Sequence, residues 1–196
     1  MDTTIVRLVI ALAIGLSLST APARADDRTL AELELPEHRV DVVLPSAGLG
    51  WFTSPSTGYD RIVFTLSVDV RYAHRTGHGA MVRGAYGTNV WGEAMAIELD
   101  YLYRAHLVGD QHLSLALDAM IGATVASFDH DEERLAVGAH LGGNAGLSLD
   151  LRVRNFIVAL GVQYRLLVPT ERTLGGNEAG VEHAITGTLG LGFTFY

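Results

Sequence analysis

Two groups of residues in this 196-residue sequence have types and spacing that suggest chemistry at a site. His112-Leu113-Ser114 sets a base and a hydroxyl on one side of an extended chain, the local form of an acyl-transfer nucleophile. Such a pair also needs a third group to orient the base, and no carboxylate stands at the expected distance on that segment. His106 and His112, with Asp110 near them, suggest metal ligation. A usable site needs three or four converging ligands, and no His-Glu-x-x-His spacing occurs. The histidines therefore read as isolated polar residues, with no metal and no cofactor. Gly142 to Asn144 and Gly175 to Asn177 are glycine-rich, but neither opens a helix after a strand, so neither is a phosphate loop.

A third group is larger and does a different kind of chemistry. Arg61, Asp69, Arg71, Glu98, Asp100, Arg104, Asp118, Asp150, Arg152 and Arg165 all fall on the polar side of alternating segments. Mixed charges confined to one narrow space must pair, because an unpaired buried charge costs several kcal/mol. They are expected to form a structural charge network with no catalytic role.

Composition narrows the class. Net charge is -8 and no lysine is present, so every basic side chain is arginine. An acidic chain with scattered arginines lacks the basic stripe of a nucleic-acid binder. With no cysteine there is no disulfide framework and no thiolate site. Residues 1–25 have the three parts of a secretory signal peptide: Arg7, an apolar run from Leu8 to Leu18, and the small-x-small site Ala23-Arg24-Ala25. The run is too short to span a bilayer. Residues 26–39 are charged, contain Pro36, and read as a periplasmic lead-in.

From residue 40 the pattern has period two, the signature of strands whose side chains leave alternate faces. Leu135, Val137, Ala139, Leu141, Gly143, Ala145, Leu147, Leu149 and Leu151 alternate with Arg134, His140, Asn144, Ser148, Asp150 and Arg152. That alternation far outlasts an ordinary strand of 5–6 residues. Similar runs cover Ile62 to Tyr72, Met95 to Leu107, Leu113 to Val125, Phe156 to Leu166 and Ile185 to Phe195. Weaker ones lie near Val40 to Phe52, where Pro45 implies a bulge or strand end, and near Ala80 to Val90. Eight strands with no helical crossovers predict an all-β, antiparallel, up-and-down barrel. Arg154-Asn155 predicts a two-residue hairpin turn, and the stretch around Gly109 a three-residue turn that sets Asp100 opposite Asp118. Longer loops are expected at residues 127–133 and 169–183, with shorter ones near 54–58 and 88–93.

On this pattern, and on the aromatic C-terminal strand ending Gly-Phe-Thr-Phe-Tyr, residues 40–196 resemble the eight-stranded outer-membrane proteins of the OmpA and OmpX kind. The resemblance implies a transmembrane β-barrel of the bacterial outer membrane. Its partners would be outer-membrane lipids, lipopolysaccharide and, during insertion, the barrel-assembly machinery. Phe193 and Phe195 depart from the usual pattern by lying out of register with Tyr196.

Alternation alone leaves the apolar face free to meet lipid or to line a soluble lipocalin-like cavity. Aromatics near strand ends (Tyr72, Tyr103, Phe156, Phe195) and a small-residue polar face favour lipid outside and a tight lumen inside. The leading expectation is a structural or surface-interaction barrel with a salt-bridged, plugged lumen. A narrow pore or conduit for small apolar molecules, a soluble periplasmic carrier, and a lipid-modifying enzyme using His112 and Ser114 stand behind it. The His-x-Ser form of the last resembles lipid A deacylases. Asp129, Asp131, Glu132 and Glu133 read either as a solvated loop or as a loose divalent-cation surface near lipopolysaccharide.

Overall fold

In the computed structural model, the described residues are 36–54, 59–89, 92–109, 112–130, 138–170 and 181–196. The expected signal peptide, most of the lead-in, Asp131 to Glu133 and the glycines at 175–176 lie outside them. The strands are β1 (His38–Ser54), β2 (Tyr59–His74), β3 (His78–Asn89), β4 (Gly92–Gly109), β5 (Leu113–His130), β6 (Gly138–Val153), β7 (Phe156–Pro169) and β8 (Glu182–Phe195). They close in sequence order, with β8 returning to β1 and every neighbouring pair antiparallel. Closure removes the edges that an open sheet must protect.

The strands run for 12 to 18 residues, longer than the 9–11 residues that span a bilayer in a tilted barrel. β5 continues to His130, so the segment 127–130 is strand rather than the loop expected there. The start of β1, the end of β8 and the ends of β2–β3, β4–β5 and β6–β7 where each pair joins share one rim, here the terminal rim. The opposite ends of the strands, where β1 leads to β2, β3 to β4, β5 to β6 and β7 to β8, form the far rim.

Parity sets the two faces. Odd residues of β4 and β5 such as Ile97, Leu99, Tyr101, Ile121 and Val125 point outward and are exposed, as are Phe64, Leu66, Val68 and Val70 of β2. The intervening residues turn inward and are largely buried, polar ones included. Large apolar side chains thus clothe the outside, and charged ones fill the inside, the reverse of a water-soluble domain.

Two irregularities adjust the register. Between Val43 and Ser46 the pairing of β1 shifts against both neighbours, so Pro45 sits in a bulge common to both ladders. Proline has no N–H to give to a ladder, which confines it to such places. The second lies between His106 and Val108, where Leu107 is the extra residue of β4. The expected register at the Gly109 turn does not form: Gly109 pairs with Ser114, so the connection is longer than three residues, and the bulge then shifts the ladder back by one. Asp118 lies opposite Arg104, and Asp100 lies opposite Gly122. A carboxylate facing a guanidinium across a ladder is favourable, and two carboxylates face to face are not. His106 lies opposite Ala116, which separates it from His112.

The Arg154-Asn155 hairpin forms as expected, with Val153 paired to Phe156 and Arg154 in the left-handed region at φ 54°. Gly109 ends β4 at φ +115°, where a Cβ would run into the Leu113 carbonyl. Replacing Gly109 with alanine is expected to destabilise the barrel by about 1–3 kcal/mol. Arg154→Gly relieves a left-handed residue and is expected to be neutral or stabilising. Urea unfolding in lipid vesicles, followed by tryptophan fluorescence, separates the two; equal losses would contradict the assignment of strain.

Candidate functional site in the lumen

The inward positions carry a nearly continuous line of ion pairs. Arg39 and Asp41 are on β1, Asp69 and Arg71 on β2, and Arg83 on β3. Glu98 and Arg104 are on β4, Asp118 on β5, Asp150 on β6 and Arg165 on β7. Several are placed by simple cross-strand pairing: Asp41 opposite Arg71, Asp69 opposite Arg83, Arg83 opposite Glu98, and Arg104 opposite Asp118. The small barrel then brings opposite walls within reach of a long arginine.

Starting at the terminal rim, Arg39 bonds Asp41 at 2.9 Å, and Asp41 accepts from Arg104 at 2.6 Å. Arg104 also reaches Asp118 at 2.5 Å and Asp150 at 3.0 Å. Arg71 joins Asp150 at 2.9 Å, Asp118 at 3.4 Å and Asp69 at 2.9 Å. Asp69 is held from the other side by Arg83 at 2.6 Å, and Arg83 approaches Glu98 at 3.6 Å. Arg165 completes the series on Glu98. Arginines 39, 71, 83, 104 and 165 are thereby matched by acids 41, 69, 98, 118 and 150.

Neutral groups take up remaining bonds. Thr194 donates to Asp41 at 2.7 Å and Ser148 to Asp150 at 2.6 Å. The Gln163 amide donates to Glu98 at 2.6 Å, and its carbonyl accepts from Arg83 and from Arg165. Apolar clusters pack among the charges and at the far rim. Ala73, Met81, Leu102 and Met120 cluster toward the terminal rim, with Val43, Ile157 and Ala159 as a second cluster. Phe52, Ala126, Leu167 and Ala184 cluster toward the far rim.

Of the residues singled out in the sequence, Asp69, Arg71, Glu98, Arg104, Asp118, Asp150 and Arg165 are joined in this series. Asp100 is buried beside it and accepts from Asn144 at 2.7 Å. A Cβ on Gly122 would collide with that carboxylate, so glycine there makes its room. Arg152 is buried and donates to the Tyr196 hydroxyl at 3.3 Å. Arg61 departs from the expectation: it is exposed near the far rim and donates to the Asp60 carbonyl at 2.9 Å. Its place in β2 is beyond the charged band, at the level of Phe52. Sequence reasoning missed Arg39, Asp41 and Arg83. Their signal was an Arg-x-Asp pair of one parity in β1, mirrored by Asp69-x-Arg71 in β2.

The other polar candidates are separate. Ser114 is buried facing the lumen, whereas His112 precedes β5, is exposed, and receives the Arg154 amide on its backbone carbonyl. His140 and Glu182 form a buried pair at 3.2 Å toward the far rim. Among the described residues, no group of three or more histidine and acidic side chains is arranged to hold a metal.

No family model and no curated protein matches the sequence. Solved structures do match. Neisserial surface protein A shares 14% identity over 81% of this chain and 96% of its own, with a TM-score of 0.51. The N-terminal β-barrel domain of Pseudomonas aeruginosa OprF shares 15% over 80% and 97%, TM-score 0.49. Ail, the attachment invasion locus protein of Yersinia pestis, shares 14% over 82% and 100%, TM-score 0.48. The fold is that of the small eight-stranded outer-membrane barrels. At such identities the likeness is one of fold, and the lumen must be argued from this chain's own side chains.

Removing one partner of a buried pair leaves the other charge without compensation, at about 3–5 kcal/mol. Arg104 serves three carboxylates, so Arg104→Leu is expected to lose at least that much stability in urea. Adding Asp118→Leu removes one orphaned charge and is expected to recover part of the loss. Additive losses in that double variant would show that the two residues do not interact.

Proposed function

We propose that this chain is an integral outer-membrane β-barrel with a structural or surface-interaction role and a lumen plugged by its own ion pairs. The observation that carries the reading is the line of pairs from Arg39 to Arg165, which crosses the interior from wall to wall. In an eight-stranded barrel the interior is just wide enough for side chains to fill. A solute on its way through would have to separate desolvated pairs.

Membrane residence is supported by the outward face. Phe64, Leu66, Met95, Ile97, Leu99 and Ile121 are each more than half exposed, a surface that water does not tolerate at this extent. Tyr72, Tyr101 and Phe156 stand near the terminal rim, where an interfacial girdle would lie. In this orientation the terminal rim is periplasmic, lipids and lipopolysaccharide surround the wall, and the far rim faces the exterior. Phe195, exposed at the end of β8, is the residue the assembly machinery would meet. The reading includes no catalytic step. The carboxylates of the charged series are held by arginines, and His112 is exposed ahead of β5 while Ser114 is buried.

The test is conductance of the purified protein in planar bilayers, with heat-modifiable mobility as the check on folding. The plugged reading expects no steady current from the wild type. Replacing both Arg71 and Asp150 by alanine clears a link between β2 and β6 and is expected to introduce openings. A wild type with steady ohmic conductance would sink the plug, and one extracted from membranes by carbonate would sink membrane residence.

A further inference from the structure

We propose that the far-rim end of the lumen is a pocket for the end of a neutral aliphatic chain, supplied sideways from the bilayer between β2 and β3. The inference rests on the membrane-embedded reading above.

A hollow of about 80 Å³ lies above the charged band. Its floor includes Arg165, whose guanidinium is already engaged by Glu98, by Thr186 at 3.1 Å and by Gln163 at 2.8 Å. The floor therefore has no charge left to offer an ionic head group. The walls include Phe52, Val63, Ala96, Ala126, Leu167 and Ala184. Ala96 pairs with Ala85 on one side and Ala126 on the other, so three neighbouring strands present methyl groups where larger side chains would close the space. The volume equals roughly three water-sized groups, and an apolar hollow offers water too few bonds to hold it well. A few methylenes satisfy both size and polarity.

The hollow also reaches the outside of the wall. The β2–β3 ladder ends at Phe64 opposite Thr88. The β1–β2 ladder runs on through Gly50–Val63, Trp51–Ile62, Phe52–Arg61 and Thr53–Asp60 to Ser54–Tyr59. The β1–β2 hairpin thus outlasts the β3–β4 hairpin beside it. The lining takes in inward-facing Thr65 and Gly87 together with Thr88 and Met95, both exposed on the outer face. Directly below that step, Phe64 and Leu66 are 61% and 56% exposed and belong to the lipid-facing belt. At the lip Glu93, paired with Thr88, is exposed and its carboxylate accepts from the Tyr86 hydroxyl. Apart from that engaged group the belt and the hollow are continuous, which favours the hydrocarbon chain of a neighbouring lipid over a solute arriving from water.

The experiment places the mature protein in phosphatidylcholine nanodiscs doped with a phosphatidylcholine that carries a diazirine at the end of one acyl chain. Irradiation and peptide mass spectrometry then locate the adducts. The proposal expects adducts on inward-facing Val63, Ala96 or Leu167 as well as on outward-facing Leu66 and Ile97. Ala126→Phe, or the milder Ala96→Leu if that variant fails to show heat-modifiable mobility, is expected to cut inward adducts at least fivefold and leave outward ones unchanged. Outward adducts alone in the wild type would overturn the pocket and spare membrane residence. Absence of both, in a protein that carbonate extracts, would overturn the underlying reading instead. A parallel arm uses a short, water-soluble alkyl diazirine alcohol. If this probe labels the inward residues and the lipid probe does not, supply from the bilayer is wrong and the proposal falls.

Discussion

Ten charged side chains share a space from which water is largely excluded, and that confinement shapes the rest of the molecule. Moving a carboxylate or guanidinium out of water costs several kcal/mol even after relaxation, and only close opposite charge with full hydrogen bonding offsets it. Every strand from β1 to β7 contributes at least one member of the series, and β8 contributes Thr194 and Thr186 as neutral partners. The arrangement tolerates little displacement. A shift of one residue in any ladder would send that strand's charges into the outer face and bring its leucines and valines inward.

The choice of arginine fits this constraint. Arg71 and Arg104 each serve three carboxylates on different strands. A planar guanidinium with five donors can do that, whereas an ammonium acts as a compact and strongly hydrated point charge. Gln163 plays the neutral equivalent, giving its amide to Glu98 and its carbonyl to two arginines. The barrel wall supplies position, and forked side chains supply the links across it.

Much of this was legible in the sequence because strand parity is a strict code. Period-two alternation gave the strand number and the two faces, and seven of the ten charges named in advance belong to the connected series. What parity could not supply was register across irregular turns. The β4–β5 turn closes with Gly109 opposite Ser114 instead of as a three-residue loop, and that longer turn, adjusted by one position at the Leu107 bulge, moves Asp118 from Asp100 to Arg104. Nothing in Leu107-Val108-Gly109 announces either feature. Arg39 and Asp41 were obscured because Pro45 interrupts the alternation of β1, leaving its first half without a readable phase. Arg61 has the right parity and the wrong height: it shares a face with Asp69 but stands beyond the charged band. Height along a strand depends on how far each hairpin extends, and sequence alone gives those ends poorly.

The closing pair of strands has a consequence for how such a molecule comes together. Asp41 of β1 bonds Thr194 of β8, 153 positions away, and takes Arg104 from β4 on the opposite side. Before the ends of the chain meet, the interior is an open trough whose charges can keep their water. Joining Val40 to Phe195 and Asp41 to Thr194 turns the trough into a tube. Dehydration of the arginines and acids therefore accompanies closure of the ring. The seam between the first and last strands acts as the latch for the whole interior, and loosening that seam would let water back to every pair at once.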